Sequence, residues 1–150
     1  MSIPTLTLRP IVATDFDQWL PLWQAYQDFY EVSLAADVST TLFQRCLNPN
    51  EPVYAAVAVI DEQLVGLVHY VVHRSTWAID DFCYLEDLYV DANVRGAGAG
   101  KRLIEWVQAF AQQQSCARLY WHTHHSNARA QKLYDWVAQQ SGCIEYRLPL

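Results

Sequence analysis

No run of apolar residues in this chain is long enough to cross a bilayer. The longest lies near residues 53–60, against the roughly 20 residues that a spanning helix needs. The N-terminus has no basic stretch followed by an apolar run, so neither a signal peptide nor a membrane partner is expected. Positive charge is scarce too. Ten Lys and Arg stand against sixteen Asp and Glu, a net charge of −6. That argues against a nucleic-acid partner, which needs a basic face. It suits a cationic substrate, or simply keeps a small domain soluble. Paired cysteines are missing as well. Cys46, Cys83, Cys116 and Cys143 are widely spaced, with no Cys-x-x-Cys. A disulfide framework and a metal site are therefore not expected, and the four read as reduced thiols of a cytoplasmic protein. Linkers, low-complexity segments and internal repeats are absent, so residues 1–150 are expected to form a single domain.

What is present is a globular composition, 52% hydrophobic and 17% charged, which excludes a disordered or fibrous chain. Six Trp, nine Tyr and five Phe supply large side chains for a core and for a pocket lining. Residues 4–10 alternate and read as a strand. Thr14 is placed to cap a helix over 15–30, with Phe16, Trp19, Leu20, Trp23, Tyr26 and Phe29 at helical spacing. A second helix is predicted over 39–47, ended by Asn48-Pro49-Asn50. Val53–Ile60 and 64–72 are β-branched-rich runs around Asp61-Glu62-Gln63, a hairpin pattern. Strands follow at 83–90 and 117–122, separated by a helix to about 114 that carries Leu103, Ile104, Val107, Phe110 and Ala111 on one face. Ser126 and Asn127 are N-cap types opening a helix to about 140. Gly142 is read as its stop, and a last strand is expected at 144–148. The order β-α-α-β-β-β-α-β-α-β needs both antiparallel hairpins and a parallel crossover, hence an α+β fold with a mixed sheet and helices on its faces.

The segment 84–101, Tyr-Leu-Glu-Asp-Leu-Tyr-Val-Asp-Ala-Asn-Val-Arg-Gly-Ala-Gly-Ala-Gly-Lys, is the most informative one. A strand with two adjacent acids, Glu86 and Asp87, runs into a turn of Gly96, Ala97, Gly98, Ala99 and Gly100 flanked by Arg95 and Lys101. Small residues let backbone N–H groups approach a diphosphate, and the helix that follows adds its N-terminal partial charge. Two other phosphate motifs fail here. Lys101 is followed by Arg102, not the Ser or Thr of a P-loop, and Gly96-x-Gly98 has Lys101 where a dinucleotide motif has its third glycine.

The Arg-x-x-Gly-x-Gly at 95–100, after a strand ending Tyr89-Val90-Asp91, resembles the acetyl-CoA signature of the GNAT N-acetyltransferase superfamily. Asn127 and Tyr134 stand seven residues apart, as in that superfamily's second motif. Tyr84-Leu85-Glu86-Asp87 is similar to the matching strand of spermidine/spermine acetyltransferases. Trp121-His122-Thr123-His124 with Asn127 and Ala130 to Tyr134 looks like the Hpa-type histone and polyamine branch. The resemblance implies the GNAT acyl-CoA N-acyltransferase fold, with a mostly antiparallel sheet, and acetyl transfer from acetyl-CoA to a primary amine on a polyamine, amino acid or basic peptide.

The resemblance also assigns roles. The backbone of Leu88, Tyr89 and Val90 would pair with the pantetheine arm, and Arg95 through Lys101 would hold the pyrophosphate. Asn127 would bond the pantetheine or a water. Tyr134 would give its phenolic proton to the departing sulfur, a role its neutral, protonated state at pH 7 suits. Glu86 would be the base and Asp87 would bind the cationic acceptor. Both can serve one pocket only if a bulge re-aims one of them, because successive strand residues face opposite ways. Tyr26, Tyr30 and Glu31, with Trp23 and Phe29 beside them, would line an acceptor pocket suited to an alkylammonium. His122, His124 and His125 are not spaced to converge on a metal, and His69 and His73 read as ordinary hydrogen-bonded histidines. A lone strand at 144–148 would leave an open edge, so a homodimer joined through that segment is expected. A coenzyme-A-binding sensor with weak turnover is the alternative; joint retention of Glu86, Asn127 and Tyr134 speaks against it.

Overall fold

The computed structural model describes residues 5–94 and 96–150. Arg95 and residue 4 of the first predicted strand lie outside the described residues. The chain runs β1 (Thr7–Pro10), a 3₁₀ turn (Ala13–Asp15), α1 (Phe16–Phe29), α2 (Ala36–Leu47), β2 (Val53–Ile60) and β3 (Gln63–His73). It continues through β4 (Phe82–Val90), a second 3₁₀ turn (Ala92–Val94), α3 (Ala99–Gln113), β5 (Arg118–Tyr120) and α4 (Ala128–Val137). The five strands pair in chain order. The first four are antiparallel neighbours, and only β5 lies parallel to its neighbour β4, as a strand reached through a crossover helix must.

Each sheet face carries its own core. On one, α1 and α2 lay Trp19, Leu22, Trp23 and Phe43 against Val57 and Leu67. The stripe read from the sequence of α1 is the buried one, with Trp19 fully enclosed and stacked on Trp23 at 6.2 Å. On the other face, α3 packs Leu103, Ile104, Val107 and Ala111 onto Ala56, Val68 and Leu85, with Leu133, Tyr134 and Val137 of α4 along its margin. Truncating a side chain as enclosed as Leu103 to alanine would cost about 2–5 kcal/mol.

The start of α1 is fixed differently from expectation. Asp15, not Thr14, is its N-cap residue. Its carboxylate accepts two bonds from the Arg9 guanidinium, at 2.7 and 2.8 Å, and one from the Val12 N–H at 2.8 Å. Arg9 foremost holds that carboxyl below the ordinary range, against the opposing effect of burial. The β2–β3 hairpin turns on Asp61 and Glu62, both left-handed at φ 49° and 65°, so Gln63 already belongs to β3. Helix α2 begins at Ala36, earlier than predicted.

The C-terminal end departs most from the sequence reading. Helix α4 stops at Val137 because Ala138 is extended, and Gly142 lies beyond it. Residues 144–148 form no strand. Their alternation is real, but Ile144, Tyr146 and Leu148 are 76%, 87% and 83% exposed. A strand exists only by pairing, and within this one chain the segment has no ladder partner among the described residues.

Candidate active site

The site begins with a bulge. Across β3 and β4, His69 pairs with Asp87 but Tyr70 pairs with Leu85, which leaves Glu86 as the extra residue. The insertion changes the phase of β4. Leu85 packs on the α3 face, and so do Leu88 and Val90, while Tyr89 packs on the α1 face. Asp87 is thereby turned to the α1 face, where it meets His69. This is the kind of re-aiming by which adjacent acids can serve one pocket.

Just before the bulge, β4 loses its other neighbour. Pairing with β5 covers only Phe82–Tyr84, so from Leu85 onward the β5 side of β4 is an open gap. The Asp91 N–H donates to the Val65 carbonyl at 2.8 Å. Antiparallel ladders alternate, so Tyr89 directs its backbone groups toward Leu67 of β3, and Leu88 and Val90 direct theirs into the gap. The backbone reading for Leu88 and Val90 thus has a geometric basis. Tyr89 instead contributes its ring, 6.5 Å from that of Tyr26.

At the far end of β4 the glycine turn leads into α3. Gly96 and Gly98 have φ of 96° and 79°, and a Cβ on either would meet nothing within 4 Å. Their glycine character therefore answers a left-handed backbone and leaves the space above the turn clear. Gly98 is the N-cap of α3 with no side-chain cap, so the first-turn N–H groups keep their free donors. Ala97 is exposed beside them, while Ala99 is buried. A Cβ on Gly100 would touch Leu133 of α4 at 3.5 Å. Lys101 is the surprise: its ammonium lies 3.3 Å from Glu105 and 4.5 Å over the Trp136 ring, along the α3–α4 surface.

Side chains from both faces converge on the gap. Tyr134 comes from the α4 side, its ring 5.5 Å from Trp121. Burial, and then the nearby Tyr30, push its phenol up to about 12. From the other side come Tyr26 and Tyr30, with ring centroids 4.9 Å apart. The Tyr26 phenol is driven far above its ordinary range by burial first, then by the Asp87 charge. A cleft of about 550 Å³ joins Phe29, Tyr30 and Glu31 at the end of α1 to His124, Ser126 and Asn127 at the start of α4. Glu31 there is left-handed at φ 56° and closes the helix where glycine is the usual residue. Asn127 caps α4 by accepting from the Ala130 N–H at 3.2 Å. Its capping role was legible in the sequence; its place on this cleft was not.

Glu86 is exposed at the bulge, and its carboxyl sits above the ordinary range. Partial desolvation is the main cause, the Asp87 charge adds to it, and His69 opposes both. Asp87 accepts from His69 Nδ1 at 3.0 Å and is only 14% exposed. Trp23, offered as a pocket residue, is a core residue whose indole donates to Ser39 Oγ at 3.1 Å. The other histidines have separate partners: His122 with Tyr84, His73 with Tyr120, His124 with Ser126. Among the described residues no three His, Cys, Asp or Glu side chains are grouped to hold a metal ion. The sequence reads His69 only as an ordinary hydrogen-bonded histidine, because the pairing register alone reveals that it faces Asp87.

Residues 19–136 match the model of the acetyltransferase (GNAT) family. The chain is 33% identical over 144 residues to the D-amino-acid N-acetyltransferase HPA3 of Saccharomyces cerevisiae, covering 95% of this chain and 89% of that one. It is 33% identical over 117 residues to the thialysine N-epsilon-acetyltransferase of Bos taurus, covering 73% and 64%. Among solved structures, aminoglycoside N-acetyltransferase AAC(6')-Iy in complex with CoA superposes with a TM-score of 0.86 at 16% identity, over 99% of this chain and 97% of that one. At that identity the superposition speaks for the fold alone. The family match and the identity along nearly the whole chain settle the family: this protein belongs to the GNAT acetyltransferases.

Proposed function

We propose that the protein transfers the acetyl group of acetyl-CoA to a primary amine of a small or basic acceptor, by direct attack in a ternary complex. The observation that carries this reading is the gap beside β4, where Tyr134 from one sheet face and Tyr26, beside the Asp87 carboxylate, from the other come near each other. The clear space above Gly96 and Gly98 and the free N–H groups of α3 fit a diphosphate. The outward backbone groups of Leu88 and Val90 fit the amides of a pantetheine arm. Arg95, Lys101 and Asn127 complete the coenzyme set carried over from the family motif, and Lys101 would exchange Glu105 for phosphate.

On the α1 side, Asp87, Tyr26, Tyr30 and Glu31 receive an ammonium through charge and aromatic faces. An alkylamine is mostly protonated at neutral pH, so it must first lose a proton, and Glu86 takes it directly or through water. The amine nitrogen then attacks the thioester carbon while an N–H near Leu88 steadies the developing oxyanion. The tetrahedral intermediate collapses, the carbon–sulfur bond breaks, Tyr134 protonates the leaving thiolate, and the second proton shed by the nitrogen passes through water to restore the phenol. The names of the two relatives, a D-amino-acid N-acetyltransferase and a thialysine N-epsilon-acetyltransferase, support an amino-acid-sized amine as the first acceptor to try.

The protein would work as a homodimer that covers the exposed tail at 144–148. It would act in the cytoplasm, where its four unpaired cysteines stay reduced. The test is thiol release from acetyl-CoA in the presence of thialysine, D- and L-amino acids, spermidine, lysine peptides and aminoglycosides. Amine-dependent release is expected for at least one class. Coenzyme binding with no release across the whole panel would replace the transferase reading with that of a sensor.

A further inference from the structure

We propose that His69 is a positioning residue that fixes the Asp87 carboxylate as the anchor of the acceptor's ammonium group. The inference rests on the acceptor site just described. His69 is 1% exposed, in the middle of β3. Trp19 Nε1 lies 3.1 Å from its Nε2. An indole N–H only donates, so Nε2 must accept, and the single ring proton belongs on Nδ1. Nδ1 lies 3.0 Å from Asp87 Oδ2 and donates to it. The imidazole is hemmed in on two sides: Trp23 packs against it in a T-shaped arrangement at 4.9 Å, and Trp19 lies tilted to it at 5.9 Å.

The chain Trp19–His69–Asp87 thus runs from the centre of the α1 core to the bulge, and each link has one direction of donation. It commits one acceptor site of Asp87 Oδ2 and sets the carboxylate beside the Tyr26 phenol, which leaves its remaining acceptor sites for a ligand. The bulge at Glu86 is what makes the contact possible, because in an unbroken ladder Asp87 would face α3 instead. Any buried imidazole needs partners on both nitrogens; here one of the two is the carboxylate at the bulge, so the ring's orientation and that of Asp87 are fixed together. Burying this polar ring is worth its cost because Asp87 is held in one orientation before the acceptor arrives.

The test compares His69→Leu with His69→Asn, because the Asn Nδ2 can stand where Nδ1 stands and still donate to Asp87. With thialysine as the probe amine, His69→Leu is expected to raise the acceptor KM by about tenfold to a hundredfold, the range for losing a charge-assisted hydrogen bond. kcat should change far less, and acetyl-CoA affinity not at all. His69→Asn should recover most of the KM loss, and His69→Leu combined with Asp87→Asn should cost no more than Asp87→Asn alone. Equal losses of thermal stability in both His69 variants with no movement of KM would make the residue structural and overturn the proposal. A second readout needs no turnover. Nitrogen NMR of the wild-type imidazole should show the proton on Nδ1, with a shift that changes in Asp87→Asn. A proton on Nε2 overturns the proposal whatever the activity. If Nδ1–H is found but no amine is acetylated, the buried relay stands and it is the transferase reading that fails.

Discussion

Replacing Tyr134 with phenylalanine removes one oxygen and keeps the ring against Trp121, so it separates chemistry from packing. The phenol's ionisation is pushed up to about 12, so at any pH from 7 to 9 it is fully protonated and able to donate. A coenzyme thiol resembles cysteine, with an ordinary pKa near ~8.5, and leaves moderately well without help. The gain from protonating it should lie at the low end of the ~10²–10⁴ range for general acids. We therefore expect Tyr134→Phe to lower kcat about a hundredfold, equivalent to roughly 2.7 kcal/mol of barrier. Removing the phenol oxygen alone should change the folding stability by no more than about 1 kcal/mol. Acetyl-CoA affinity, measured by calorimetry, should be retained. The assay is thiol release at saturating amine across pH 6–10. Because the phenol titrates far above that window, the wild type should show no alkaline decline attributable to Tyr134. An undiminished kcat in the variant would remove Tyr134 from the mechanism, and a hundredfold loss accompanied by unfolding in a thermal melt would show that its role is in packing.

Glu86→Gln should lower kcat/KM by about a hundredfold or more and abolish the acidic limb of the pH–rate profile. It should also raise the melting temperature, because the Glu86 carboxylate is ionised against desolvation and the Asp87 charge; a lower melting temperature would contradict that electrostatic account. Burial raises the phenols of Tyr70, Tyr84 and Tyr134 and the thiols of Cys46 and Cys83 to about 12 each. Above their unfolded values the unfolded chain binds fewer protons than the folded one, so stability present at pH 8 should fall steeply between about pH 9 and 12. A melting temperature unchanged at pH 11 would sink this prediction. Finally, the triple change Ile144→Ser, Tyr146→Ser and Leu148→Ser should convert a dimer to a monomer in light scattering, and a wild-type monomer at micromolar concentration would refute the dimer itself.

Much of the architecture was legible because local pattern and final packing agree. The buried stripe of α1, the β2–β3 hairpin, the Leu103-to-Ala111 face of α3 and the turn at Gly96–Gly98 each carry their own signal. So does the pairing of Asn127 with Tyr134, two turns apart on one helix. In the sequence a bulge was only a condition for both neighbouring acids to serve one pocket, and its place at Glu86 and its consequences were not visible. A one-residue insertion reverses every later side chain in β4, which put Tyr89 on the α1 face and brought Asp87 to His69. Register is a relation between two strands, and neither strand records it alone. The tail failed for a related reason: Ile144, Tyr146 and Leu148 alternate as a strand does, but alternation states a preference and pairing needs a partner. Lys101 reads as a phosphate ligand by position, and in the free protein its charge turns to the nearest acid, Glu105.

The hairpin turn between β2 and β3 has an outcome for the protein's history and its engineering. Two acidic residues occupy left-handed positions that other chains give to Asn-Gly, and each is strained by about 1–2 kcal/mol. Neither borders the cleft of Tyr30 and Asn127. Glu62→Gly would relieve one of them, less the roughly 0.5–1 kcal/mol that glycine's added freedom takes back. The chain therefore holds unused stability at a place unconnected with its chemistry. A sturdier variant obtained there would be a suitable background in which to examine the more disruptive changes at Glu86, Asp87 and His69.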